Sequence, residues 1–484
     1  MRFSQIFIPG LMLLLLLAGP LAAAEPKPIE MVIEPRAIES PILKYRLLPT
    51  ESELKPGNAV PILLRMPWEQ TPFMTKIYPT LHEWDERPLT APEWATSNGV
   101  LPEIFYSEMK RAAFRRDAQW EYPIYEDPSP YMILLPDVQG LRHFLGRGLA
   151  ARIRYHLSRG ELDQAREGIL VGLANSRHLA HTPFYVNQGV AMAIQRTMLE
   201  RTDELISQPN SPNLYWALSA LPVSLIELDR AASLEGGIFT MTFPGASDLD
   251  HPRDTKEWSK MARQLIEVLE LLEEIPAVEK AKEDGSVVDQ FLKSLNFGEK
   301  SRLSGLIKHA RAELPELLKI PPEKVAAMSD DEVGVRWYVH KRLARDQLMS
   351  AALVLPPREA WPQLTRVQTE TKAMREKTGA KGPYHMDPTA MFIAAWSQQR
   401  KVQALRVIEA VRHHLATHEG KLPKTLDEIQ NLPIPLDPLT SQPFQWSVEG
   451  QSAVLKAPPL PADLIESDSA AVQGSVLEYR LRVK

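Results

Sequence analysis

Apolar residues recur at helical spacing through most of the chain beyond residue 137. "LRHFLGRGLAARIRYHLSRG" (141–160) reads as a helix ending at Gly160, and "ELDQAREGILVGLANSRHLAH" (161–181) starts a second helix after a very tight turn. In "YVNQGVAMAIQRTMLERTDELI" (185–206) the apolar steps are Val186, Val190, Ala193 or Ile194, and Met198, which predicts a third. Further on, Val402, Leu405, Ile408, Val411 and Leu415 line one long helix that Gly420 is placed to end as a left-handed cap. The period then changes to two. "PFQWSV" and "SAVLKA" flank a Glu449-Gly450 turn and predict a hairpin. At the C-terminal end Leu477, Tyr479, Leu481 and Val483 alternate with Glu478, Arg480, Arg482 and Lys484, the pattern of a half-buried strand. The class expected is mainly α: irregular, solenoid-like helical hairpins with a small C-terminal α+β module holding a three-stranded antiparallel sheet.

Proline and capping residues set the divisions. Residues 25–136 hold 17 prolines, against one (Pro183) in 137–208. Proline removes a backbone donor and clashes with the preceding turn, so 25–136 is expected to wrap the helical body as extended segments and short helices, including 107–120. Residues 137–235 form the first helical block. Within it, Ser211-Pro212 predicts an N-cap followed by proline in the first turn, opening a helix that reaches about Glu235 with a kink at Pro222. "GGIFTMTFPGASDLDHPRD" reads as a looser connection to a second helical block, 254–378, in which Ser329 and Glu332 have capping-box spacing. Asp387-Pro388 opens the last unit, 387–484, where Thr425 and Glu428 repeat that spacing ahead of a short helix.

The leader stands apart from the fold. Arg2 precedes an apolar run, Leu11 to Ala18, and then "GPLAAA"; this fits a secretory signal (1–24) cut after Ala24, and therefore an exported protein, periplasmic or extracellular. No later stretch approaches 18 consecutive apolar residues, so no transmembrane segment is expected in the mature chain. The 484 residues carry 56 Lys and Arg against 61 Asp and Glu, a net charge of −5, which gives no general attraction to nucleic acid. Cysteine is absent, excluding disulfides, thiolate nucleophiles and Cys-zinc sites together.

Candidate chemistry concentrates in "RHHLATHEGKLPKTLDEIQNLPIPLDPLTSQPFQW" (412–446), which brings His413, His414, His418 and Glu419 together and adds Asp427 and Asp437. His414 and His418, four apart, share a helix face and have the spacing of two metal ligands. "HLATHE" lacks the HExxH order, however, and no third ligand follows at a fixed distance. Histidines also suit a last helical turn, where carbonyls are unpaired, so the stretch is read as architecture. His178 and His181 receive the same reading, and His143 and His156 on the preceding helix complete a conceivable four-histidine cluster. "GRGLAA" (146–151) matches a dinucleotide pattern but sits inside a helix, where it reads as packing. Glu273-Glu274, Asp330-Asp331 and Asp427-Glu428 read as helix starts or solvated faces. Trp68, Trp84, Trp94 and Trp120 either anchor irregular segments or form a binding platform. No catalytic, cofactor-binding or metal-ligating residue is assigned.

Gly160, Leu162, Ala165 and Gly172 make 141–181 resemble the helical hairpin of tetratricopeptide repeats, with Arg177 where such a repeat commonly ends its helix at proline. "LKYRLLPTESELKPGNAVPILLRM" (43–66), "AAFRRDAQWEYPI" (112–124), "LLPDVQGLR" (134–142), "PNLYWALSALP" (212–222), "ARDQLMSAALVLPP" (344–357) and "GKLPKTLDEIQNLPIPLDPLTSQPF" (420–444) look like blocks of an uncharacterised family of exported planctomycete helical proteins. From about residue 388 the chain is similar to the body of type II secretion pseudopilins. These resemblances imply fold and export and carry over no functional residue. The expected function is a non-catalytic exported protein that binds a protein or cell-envelope component. The competing expectation is a hydrolase of an envelope or extracellular polymer, its acids or histidines gathered from distant segments.

Overall fold

The computed structural model describes residues 27–66, 80–95, 101–121, 138–271, 300–378, 388–460 and 470–484, apart from Ile42, His82 and Gln139. The leader 1–24, Trp68, Glu273-Glu274, Asp387 and the part of the second helical block between 272 and 299 lie outside the described residues. The fold is mainly helical with a small mixed sheet.

The proline-rich segment supplies more regular structure than its composition suggests. Strand β1 (Ile29–Ile33) is followed by β2 (Lys55–Asn58), α1 (Glu103–Ala113) and β3 (Arg115–Asp117). The helix expected over 107–120 begins earlier and stops at Ala113, because the next residues pair in parallel with β2.

The hairpin follows the sequence pattern closely. A π-helical stretch, Arg142–Gly148, runs straight into α2 (Leu149–Ser158). Gly160 takes the turn at a φ of 71°, a left-handed conformation that other L residues adopt at a cost. Helix α3 (Leu162–Ala180) runs on past Arg177, and α4 (Tyr185–Ile206) packs across both. Close approach rests on two small positions. A Cβ at Gly168 would stand 2.7 Å from Ile153 Cγ1 on α2, and one at Gly172 would overlap the Met198 side chain on α4.

The next stretch departs from expectation. Residues 212–235 do not form one kinked helix: α5 (Tyr215–Ser219) is five residues long, 220–228 is irregular, and α6 (Asp229–Thr242) then continues through Gly236 and Gly237. Ser211 does not cap α5: the N-cap position is Leu214, and Asn213 just before it accepts the Tyr215 N–H through its Oδ1 at 3.0 Å. The Ser211 and Pro212 carbonyls are instead bound by Arg412. Of the two glycines expected in a connection, Gly236 is a contact position and Gly237 meets nothing within 4 Å. A Cβ at Gly236 would meet Ser350 Oγ at 2.8 Å, so α6 crosses the later helix there at close range.

The second block contains α7 (Thr255–Leu271), α8 (Lys300–Leu318), α9 (Pro322–Ala326), α10 (Asp330–Leu353) and α11 (Pro357–Thr378). Ser329 caps α10 as its spacing predicts, accepting from the Glu332 N–H at 3.2 Å. Among the described residues two large apolar cores result, with a small third cluster at Phe184 and Leu234. One joins the N-terminal segment, α2 to α5 and the C-terminal unit; the other lies among α7, α8 and the facing parts of α6 and α10. Helix α6 gives Ala231 and Ala232 to the first core and Phe239, with its C-cap Phe243, to the second, while α10 gives Ala352 and Leu353 to the first and Val333, Val335, Trp337, Tyr338 and Val339 to the second.

Helix α12 (Pro388–Thr417) is the spine of the first core, with Val402, Leu405, Ile408, Val411 and Leu415 all fully buried. Beyond it lie a three-residue 3-10 turn (Leu426–Glu428), β4 (Gln445–Glu449), β5 (Ser452–Lys456), α13 (Ala470–Ser475) and β6 (Glu478–Val483). Thr425 makes no side-chain cap, and Glu428 accepts from the Lys424 N–H instead. The hairpin turns at Gly450 as predicted. The sheet is not three-stranded and antiparallel. It is four-stranded and mixed, ordered β1-β6-β5-β4, because β1 adds in parallel along β6. No turn links β1 to its partner, so no local signal announces that pairing.

Candidate functional site

The histidine-rich end of α12 is built as a helix terminus. Glu419 and Gly420 both take positive φ, and the Gly420 and Lys421 N–H groups donate back to Leu415 O (2.8 Å) and His418 O (3.0 Å). His413 Nδ1 accepts from the Ile38 N–H at 3.3 Å, tying the N-terminal segment to the helix. His414 and His418 stack, with ring centroids 3.9 Å apart and planes inclined by 8°. A metal is bound in the plane of an imidazole, and two nearly parallel planes do not share a point about 2 Å from both nitrogens. His418 Nδ1 is also engaged by Thr417 Oγ1 and the His414 carbonyl. Burial lowers the pKa of both His413 and His414, and the neighbouring His418 adds to the shift.

The other histidines are dispersed. His178, in the last turn of α3, faces the Ala112 and Ala113 carbonyls at the end of α1, and its own carbonyl accepts from Trp120 Nε1 at 2.9 Å. Burial, reinforced by His181 and Arg177, pushes its pKa down to about 4. His181 is lowered by burial and then by Arg230. His143 is pushed down to about 4, first by burial and then by Arg147 and Arg142. His156 Nδ1 lies 2.7 Å from Glu161 Oε2 across the hairpin turn. Among the described residues, no three His, Asp or Glu side chains are grouped to hold a metal.

Of the described tryptophans of the N-terminal segment, Trp84 and Trp120 pack against the first core and Trp120 ties to α3 through the His178 carbonyl, whereas Trp94 is held locally. Trp94 is buried, donates to Pro88 O at 2.9 Å and lies 4.6 Å from the Trp84 ring, over which Arg87 stands at 4.2 Å. "GRGLAA" lies within the π-to-α stretch, and its glycines are buried packing positions. Asp330 pairs with Arg311 and Asp331 accepts from Ser259 Oγ, both at the start of α10.

The strongest polar constellation escaped sequence reading. Helix α12 carries Arg400, Lys401, Glu409 and Arg412, all at most 8% exposed, between its apolar steps. Arg400 forms a bidentate pair with Asp437 and also donates to the Ser475 and Pro458 carbonyls. Asp437 therefore does more than turn the chain, although its carboxylate also accepts from the Thr440 N–H and hydroxyl. Lys401 Nζ reaches Asp203 Oδ2 on α4 at 2.6 Å, and Tyr479 Oη on β6 donates to Asp203 Oδ1 at 3.1 Å. Arg412 donates to both Glu409 oxygens and to the carbonyls of Glu34, Ser211 and Pro212. Burial raises the pKa of Asp203 and Glu409, with Lys401 and Arg412 drawing them back, and it raises the Tyr479 phenol well above its usual value. Arg400 and Arg412 also satisfy carbonyls of neighbouring chain, which is the condition for keeping such backbone buried, whereas Lys401 is paired with the Asp203 carboxylate. The available signal was four charges, Arg400, Lys401, Glu409 and Arg412, interleaved with the apolar steps Val402, Leu405, Ile408 and Val411.

No helix among the described residues is long and apolar enough to cross a membrane. No family model, curated protein or solved structure matches this chain.

Proposed function

We propose that the chain is an exported, non-catalytic helical protein whose stacked hairpins bind a protein or a cell-envelope component. One observation carries the reading. The buried charges of the central helix are spent on internal partners: Arg400 on Asp437, Lys401 on Asp203 and Arg412 on Glu409. The Lys401–Asp203 pair ties α12 to α4, Tyr479 on the same carboxylate ties in β6, Arg400–Asp437 holds the proline-aspartate loop, and Arg412 reaches the N-terminal segment through the Glu34 carbonyl. That is the work of a rigid framework. Export follows from the basic start, apolar run and small residues of 1–24. The tight turn at Gly160 and the close packing at Gly168 and Gly172 support a tetratricopeptide-like hairpin as the unit of stacking. Helix, left-handed cap, proline-aspartate loop and sheet, in that order from residue 388, support the pseudopilin-like geometry of the last unit.

The test is capture from an envelope fraction by the immobilised, folded protein, with a heat-unfolded sample as control. Retention of a discrete component by the folded sample alone supports the reading. If nothing is retained beyond the control, the reading fails.

A further inference from the structure

We propose that the edge of β6 that faces β1 is a strand-acceptor site for an extended, acidic, apolar-alternating segment. In this structure the chain's own residues 29–36 fill it, and a second copy of the chain is the source able to supply the same segment in trans.

The other three strands of the sheet pair with one another without β1. β6 is held on its other side by β5 through five residue pairs, Ser452↔Arg482 to Lys456↔Glu478, and β5 by β4. It is anchored from beneath by Tyr479 on Asp203. Among the described residues β1 has the single strand neighbour β6, and nothing local ties the two, which are the first and last described strands. The occupant is therefore the separable partner, added to a formed edge.

Recognition is specific along the strand. Pairing runs in register from Ile29↔Tyr479 to Ile33↔Val483, and the Lys484 N–H closes it by donating to Ile33 O at 3.1 Å. Met31 and Ile33 are buried on the inner face, with Ile29 packed beside them. The outer face reads acid: Glu30 lies 3.8 Å from Arg480, and Glu34 accepts from Lys484 Nζ at 3.0 Å and from the Asn210 N–H at 3.1 Å. Beyond the strand, Arg412 Nε donates to Glu34 O, and Asn213 Nδ2 donates to Arg36 O at 3.0 Å. A parallel strand with apolar residues at 29, 31 and 33 and carboxylates at 30 and 34, continued as extended chain to 36, meets these groups. This inference stands independently of export.

The experiment uses the full chain with a protease site replacing residues 40–43, where Ser40, Pro41 and Leu43 are exposed. Cutting after folding leaves the strand seated but no longer tethered. A labelled peptide with the sequence of residues 27–37 is then added, and light and isotopically heavy cut chains are mixed. Saturable one-to-one peptide incorporation, weakened at least tenfold in a peptide carrying Glu30→Lys and Glu34→Lys, supports the proposal, as does appearance of mixed light–heavy complexes by native mass spectrometry. Cut chain that keeps its helical circular dichroism yet takes up neither peptide nor a heavy strand overturns it. Equal uptake of the charge-reversed peptide overturns the specificity. If the cut chain loses its helical signal, the seat is not complete by itself, and the proposal also fails.

Discussion

Arg400 and Asp437 meet in a bidentate ion pair closed off from solvent, Nε to Oδ1 at 2.7 Å and Nη2 to Oδ2 at 2.8 Å. Asp437→Ala leaves the guanidinium buried without its counter-charge, an effect of about 3–5 kcal/mol. Urea unfolding followed by circular dichroism should show that loss. The double variant Arg400→Met with Asp437→Leu removes both charges and is expected to recover most of it.

Two glycines of the hairpin separate crowding from backbone strain. Gly168→Ala forces a methyl group against Ile153 and should cost about 1–3 kcal/mol. Gly160→Ala meets nothing within 4 Å, so only its left-handed backbone resists, at about 1–2 kcal/mol. Thermal midpoints of the two variants, measured side by side, check the ranking. The crowding argument fails if Gly168→Ala is neutral.

Stability should fall on mild acidification. His178 has a folded pKa of about 4, below its ordinary value of 6.5, because burial disfavours the imidazolium. The unfolded chain takes up a proton through that interval and the folded chain does not. The contribution is therefore complete above pH 6.5, declines as pH falls towards 4 and is flat below it, amounting to about 3 kcal/mol. His178→Asn should flatten the pH dependence of the unfolding midpoint over that window. An unchanged profile would count against a neutral, buried His178.

The stacked pair at the end of α12 predicts indifference to metal. Adding zinc to the purified protein should leave its thermal midpoint unmoved, and His414→Gln should change neither that result nor the metal content by elemental analysis. A zinc-dependent rise abolished by His414→Gln would refute the stacked geometry.

Sequence periodicity located what is local. The α2–α3 turn at Gly160, the Ser329 cap, the spine residues Val402 to Leu415 and the alternation of β6 were all legible, because each depends on residues a few positions apart. Long-range partners were not. Ile29 to Ile33 reads as extended chain, but nothing nearby says that its neighbour is Tyr479 to Val483. Asp437 before a proline looks like a turn residue, and its second role depends on an arginine one helix away. Gly236 and Gly237 resemble a linker because glycine weakens helices on average. Here the gain from contact with α10 at Ser350 outweighs that local penalty. The histidines were correctly placed at helix ends, but whether rings converge or stack is decided by rotamers, which composition and spacing do not encode.

Helices α6 and α10 each give one end to either apolar core. Melting of one half would strip cover from a rod that the other half still grips, so the two share a common fate under heat or force. Differential scanning calorimetry should accordingly record a single endotherm, and a blow to either end of these rods, such as Phe239→Ala, should lower the melting of the hairpin side as well.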